Sequence, residues 1–160
     1  MTNGQTRDPV VAAIVEAVTA GRDGAAGPAR ESLLDLWATI GPPLHRCTLA
    51  HYLADLYPDP AQALVWDIRA LDAADTITDE RVRQHDAYLH VAGFLPSLHL
   101  DVADGYRRLG SFDAAREHLE NARRHGPVLA DDAYGDLVRT GIEDVGAAIE
   151  ARSVDRISGP

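Results

Sequence analysis

The chain has 160 residues, of which 46% are hydrophobic, 25% charged and 6% aromatic, and it carries a formal net charge of −10. Abundant Ala and scarce aromatics favour helices over strands in a single globular domain. All 15 basic residues are Arg, and the acidic excess repels phosphate backbones, which argues against nucleic acid as a partner.

Cys47 is the one cysteine, so no intrachain disulfide and no cysteine-rich zinc site can form. No charged segment followed by an apolar run opens the chain, and no apolar window reaches ~18 residues. The expected location is the cytoplasm, with no membrane partner.

Residues 1–7 are polar and are expected to be disordered. Asp8-Pro9 reads as an N-cap followed by proline at the first helical position. The helix it opens carries Val10, Ile14, Ala17 and Val18 on one face and stops at Gly21. A second helix starts near Pro28, presents Leu33, Leu34, Trp37 and Ile40, and ends at Gly41-Pro42-Pro43. The third is expected over Leu44–Tyr57, with Leu49, Leu53 and Leu56 on its apolar face. Its polar stripe is His45, Thr48, His51 and Asp55, with Tyr52 between them.

Pro58-Asp59-Pro60 breaks that helix, and Asp59 caps a fourth, which buries Leu64, Leu71 and either Trp66 or Ile68 and ends near Asp75. A short fifth helix is expected from about Asp79 to His90, separated by Gly93 and Pro96 from a sixth over Pro96–Leu109. A seventh runs from Phe112 to His125, with Gly126-Pro127 as its stop. Asp131 or Asp132 caps an eighth, which carries Tyr134, Leu137, Val138, Ile142, Val145 and Ile149 and fades by Arg152. Residues 153–160 are expected to fray, leaving one helical domain over 8–152. No strand alternation competes with these helical periods.

Residues 94–127 resemble a tetratricopeptide repeat. Ala103 stands where the two helices of such a repeat approach closely, and Tyr106 is the aromatic between them. Leu109-Gly110 closes the first helix, and Phe112 anchors the second. Ala115, Leu119 and Ala122 supply the small-large-small pattern of the crossing, and Pro127 ends the unit. Small residues let helices cross closely while large ones fill the space beside them. His99 occupies the place where these repeats often carry Trp.

A degenerate copy covers residues 44–75. Ala63 and Ala70 keep the spacing of Ala115 and Ala122, but Pro58 replaces Gly110 and Asp67 falls where Leu119 stands. The two copies are offset by 52 residues, from Ala63 to Ala115, where a tandem array repeats every ~34. Residues 131–151 match the capping helix that such arrays need. The whole chain resembles a group of small tetratricopeptide-like actinobacterial proteins, through HRCTLAHYLAD, LVWDIRALDAAD, PSLHLDVADGYRRLG and DDAYGDLVRTGIE. The resemblance implies an all-α, α-α superhelical fold of seven to eight helices and names no activity.

In such repeats the first helices line a concave groove that takes partners. The resemblance therefore places Ser97, Asp101, Asp104 and Arg108 in a groove with His45, Thr48, Tyr52 and Asp55. The family's clamp for a C-terminal carboxylate needs several basic residues, and Asp101 and Asp104 occupy those places here. A non-catalytic scaffold for a protein or peptide is expected, with a cationic partner favoured by charge. Two alternatives stand beside it: a helical metal or ligand binder or enzyme using His45, His51, Asp55 and Asp104, and a subunit that self-associates.

No cofactor and no metal is predicted. His51 and Asp55, four residues apart on one helix face, come nearest to a ligand pair, and Asp86 and His90 share that spacing. His45 and His51 point about 240° apart on a helical wheel. No HExxH, phosphate-binding glycine loop or G-x-S-x-G stretch occurs. Cys47 beside His45 and His51 is a candidate thiol, but it lies next to the apolar face, as packing cysteines do.

Overall fold

Three aspartates set helix starts. The side chains of Asp8, Asp59 and Asp132 accept hydrogen bonds from the backbone N–H of Val10, Ala61 and Gly135, at 2.9, 3.1 and 2.7 Å. Each satisfies an amide that the first turn leaves without a partner. The computed structural model describes residues 8–79 and 85–157, and the side chains of residues 8–77 and 92–157. Among them the chain is all α, with 82% helix and no strand.

Seven α-helices occur among the described residues: α1 (Pro9–Arg22), α2 (Ala26–Thr39), α3 (Pro43–Asp55), α4 (Pro60–Asp79), α5 (His85–Arg108), α6 (Phe112–His125) and α7 (Ala133–Glu150). A 3-10 turn, Gly126–Val128, joins α6 to α7. The bounds of α6 are those its sequence predicts. Asp113 in its first turn and Arg123, Arg124 and His125 in its last complement the helix dipole.

One expected break does not occur. Gly93 and Pro96 were expected to separate two helices, but α5 runs through both. Proline inside a helix removes one backbone hydrogen bond and costs ~3 kcal/mol. Leu95, Pro96 and Leu98 are all buried, and each leucine contributes roughly 1.5–3 kcal/mol by leaving water. Burial of this turn therefore outweighs the local cost. The expected start of the fifth helix, Asp79, is the last residue of α4, which runs past its expected end near Asp75, and the rest of that helix from His85 merges into α5. Residues 80–84 lie outside the described residues, as do residues 1–7 and 158–160.

The α5–α6 turn depends on Gly110, whose φ is +80°. Ser111 N–H donates to Tyr106 C=O and Gly110 N–H to Arg107 C=O, both at 2.9 Å. This bond pair satisfies the last carbonyls of α5 and requires a left-handed residue at Gly110.

Each helix packs on its sequence neighbours, and α1, α3, α5 and α7 also contact one another in succession. Two apolar cores result. The first spans α1 to α5 and includes Ile14, Leu33, Leu49, Leu53, Trp66, Leu98 and Val102. Trp66 is buried, with the Trp37 ring edge-on at 5.1 Å. The second joins α5, α6 and α7 through Ala103, Ala115, Leu119, Ala122, Val138, Ile142, Val145 and Ile149. Ala103, Ala115, Leu119 and Ala122 are thus at most 2% exposed.

The chain beyond α7 is held as far as residue 157. Arg107 is 0% exposed and donates to the carbonyls of Ser153 at 2.7 Å and Asp155 at 2.9 Å. Ile157 packs on the second core. Residues 153–157 were expected to fray, and the buried guanidinium instead fixes their backbone.

Candidate functional site

The helices α3, α5 and α7 face one another across a cleft of about 560 Å³. Residues one turn apart on each helix point into it: Thr48, Tyr52 and Asp55 from α3, Ser97 and Asp101 from α5, Tyr134 and Leu137 from α7. Phe94, Leu98, Leu100 and Val138 make its apolar lining. The Tyr134 hydroxyl donates to Ser97 Oγ at 3.0 Å and ties α7 to α5 at the mouth. Burial raises the Tyr134 pKa, so the phenol stays protonated and keeps that donor. Gly141 permits the close approach of α7, because a Cβ there would lie 2.8 Å from Leu100 Cδ2.

A second groove of about 610 Å³ lies between α5 and α7. It shares Leu100, Asp101, Leu137 and Gly141 with the first. Asp104, Asp136 and Asp144 border it. The two grooves therefore form one elongated trough with an apolar floor and an acidic rim.

Five of the eight groove residues expected from the sequence line the main cleft: Thr48, Tyr52, Asp55, Ser97 and Asp101. The other three lie outside the main cleft, although Asp104 borders the second groove. His45 turns to the start of α1, where its Nε2 lies 2.8 Å from Asp8 Oδ2. Asp104 accepts from Nε of the buried Arg107 at 2.8 Å. Arg108 lines a smaller cavity of about 170 Å³ with Asp55, Asp67, Asp101, Asp104 and Arg156. Asp55 and Asp101 border both this cavity and the main cleft.

Between the two cavities three helices bring His51, Asp67 and Asp101 together. One ligand-type atom from each lies within 4.8 Å of the others. His51 Nδ1 sits 3.3 Å from Asp101 Oδ2, yet it is buried and makes no hydrogen bond. Asp67 is only 9% exposed. Burial, reinforced by the negative charge of Asp101, raises its carboxyl well above the usual carboxylate range. Burial acts to lower the His51 pKa, but the Asp101 carboxylate outweighs it and the net shift is upward. Asp55 is also raised, by the protein packed around it and by Asp101 after the opposing pull of His51.

Asp67 was absent from the residues singled out for chemistry, although the sequence held a signal for it. In the 52-residue offset read from the sequence it falls where Leu119 stands, and Leu119 is 2% exposed. A carboxylate at a position built for a large apolar side chain is a buried acid. The sequence pairs His51 with Asp55, but the residues gathered with His51 come from α4 and α5, and Asp55 is exposed. The side chains of Asp86 and His90 lie outside the described residues.

Cys47 lines the cleft floor at 3% exposure, and burial pushes its thiol up to about 12. A thiol in that state is not an activated nucleophile. His99 stacks on His125 with 5.5 Å between ring centroids, and its Nδ1 lies 3.3 Å from His118 Nδ1.

No helix among the described residues is long and apolar enough to cross a membrane. Compared with family models, curated proteins and solved structures, the chain has no significant match.

Proposed function

We propose that the chain is a non-catalytic interaction module of the α-α superhelical, tetratricopeptide-like class, which receives a polypeptide segment along its concave face. The observation that carries this reading is the elongated trough lined by α3, α5 and α7. The successive contacts of α1, α3, α5 and α7 support the superhelical arrangement, since the first helices of stacked pairs meet along the inner face. An extended trough suits a chain segment better than a compact molecule. Its apolar floor offers burial to alternate side chains of the segment, and Asp55, Asp101, Asp104, Asp136 and Asp144 favour Arg or Lys among the rest. Cytoplasmic residence fits the lone reduced cysteine and belongs to the same reading.

Leu137 tests it. The side chain stands 65% exposed where the two grooves join. Leu137→Ser should leave stability within about 0.5 kcal/mol, as surface changes do. Peptides selected from a random display library on the wild-type chain should place Arg or Lys beside apolar residues. Measured by fluorescence anisotropy, they should bind Leu137→Ser about 10-fold more weakly, the equivalent of one lost apolar contact. Failure to enrich any peptide, or equal affinity for both chains, would refute the reading.

A further inference from the structure

We infer that His51, Asp67 and Asp101 form a binding site for one divalent transition-metal ion, with zinc the best match to the donors. Each ligand comes from a different helix, α3, α4 and α5, so the fold and not a local sequence repeat assembles the set. One imidazole and two carboxylates together carry two negative charges when deprotonated, which balances the ion. A tetrahedron with metal–ligand bonds of ~2.0 Å has edges of about 3.3 Å. The His51–Asp101 edge already has that length, at 3.3 Å. The third donor lies within 4.8 Å of both, and a side-chain rotation would bring it to bonding distance.

Two polar groups of the set point to a ligand. His51 Nδ1 is buried without a hydrogen bond. Asp67 is more than nine-tenths buried and accepts no hydrogen bond among the described residues. A buried imidazole nitrogen left this way is costly, and a cation would satisfy it together with the Asp67 carboxyl, which lines the small cavity. Arg108 and Arg156 line the cavity next to Asp67, but neither forms an ion pair with it or with Asp101. The ion would sit where two cavities meet, reached from the 560 Å³ cleft past His51 and from the 170 Å³ cavity past Asp67. Three protein ligands leave a fourth position for water or for a donor from outside. The site goes beyond the proposed peptide trough, with which it shares Asp101. Asp55, Asp104, Asp136 and Asp144 lie outside the triad and keep the rim acidic whether or not the ion is bound.

The test is isothermal titration of metal-free full-length chain with Zn2+ at pH 7. One ion per chain should bind with micromolar or tighter affinity. Asp67→Asn, nearly isosteric, should lower that affinity roughly 10-fold or more and abolish the rise in Tm that Zn2+ gives the wild type. His51→Gln, at a half-buried side chain, gives the same readout should Asp67→Asn fail to fold. The His99→Ala, His118→Ala double variant removes the other imidazole pair and should bind as the wild type does. No Zn2+ uptake by the wild type, unchanged affinity in Asp67→Asn or His51→Gln, or loss confined to the His99/His118 variant would each overturn the assignment.

Discussion

Arg107→Met removes a fully buried guanidinium while keeping most of its apolar stem. In the wild type, Nε donates to Asp104 Oδ1 at 2.8 Å and Nη1 donates to the carbonyls of Ser153 and Asp155 at 2.7 and 2.9 Å. Nη2 lies a further 2.7 Å from Asp104 Oδ1. Each hydrogen bond from a charged donor contributes about 1.5–3 kcal/mol. Removing the donor strands the Asp104 carboxylate and two tail carbonyls. The tail can peel away and rehydrate its carbonyls, so the sum overstates the loss, and the cost of breaking a buried ion pair, about 3–5 kcal/mol, is the better guide. Total stability for such a domain is about 5–15 kcal/mol, so the urea midpoint should fall by a large fraction. Far-UV circular dichroism during urea unfolding measures that shift. Hydrogen exchange should in addition show amides of residues 153–157 losing protection in the variant. Asp104→Asn in the same chain should cost less when Arg107 is already Met, because the stranded charge is then gone. A loss below about 1 kcal/mol, or residues 153–157 still protected, would refute the assignment of Arg107 as the clasp of that segment.

His99 gives stability a pH dependence. Burial first, then the neighbouring His118, His125 and Arg124, lower its pKa to about 4 in the folded chain, against 6.5 when unfolded. The unfolded chain therefore takes up the proton first, so this contribution is complete above about pH 6.5 and lost as pH falls toward 4. The expected loss is about 2–3 kcal/mol, and urea titrations at stepped pH should show it flattened in His99→Gln. Cys47 should resist iodoacetamide at pH 8 in the native chain and react roughly 100-fold or more faster in urea, followed by mass spectrometry, because burial holds the thiol near 12. Fast native labelling would contradict that burial.

Helix starts and the α5–α6 crossing could be read from the sequence because their causes are local. Asp8, Asp59 and Asp132 cap within three residues of themselves. Ala103, Ala115, Leu119 and Ala122 follow one spacing rule and are buried together. The continuity of α5 through Pro96 could not be read this way, since the proline penalty is local while the burial that offsets it comes from other helices. The same separation hides half of the site. Thr48 and Ser97 lie on predictable helix faces, but His45 pairs with Asp8 and Arg107 with Ser153 and Asp155, partners far away in the chain. A run of arginines looks like a solvated surface until one of them is found at the centre of the fold. Asp67 was visible as a departure from a repeat pattern. Its meaning depends on His51 and Asp101, which other helices bring to it.

Helix α5 has an inside on two sides. Val102 packs in the first core and Ala103, the next residue, in the second, while Tyr106 touches both. Asp101, the residue before Val102, faces the cleft. Inserting or deleting one residue in α5 would rotate everything beyond it by about 100°. That turn would remove Ala103 from one core, or Leu98 and Val102 from the other, and swing Asp101 out of line with His51 and Asp67. No single compensating substitution could repair all three faces. Length variation in relatives of this chain should therefore gather in the connections between helices and spare α5, whose residue count is held by three sets of contacts at once.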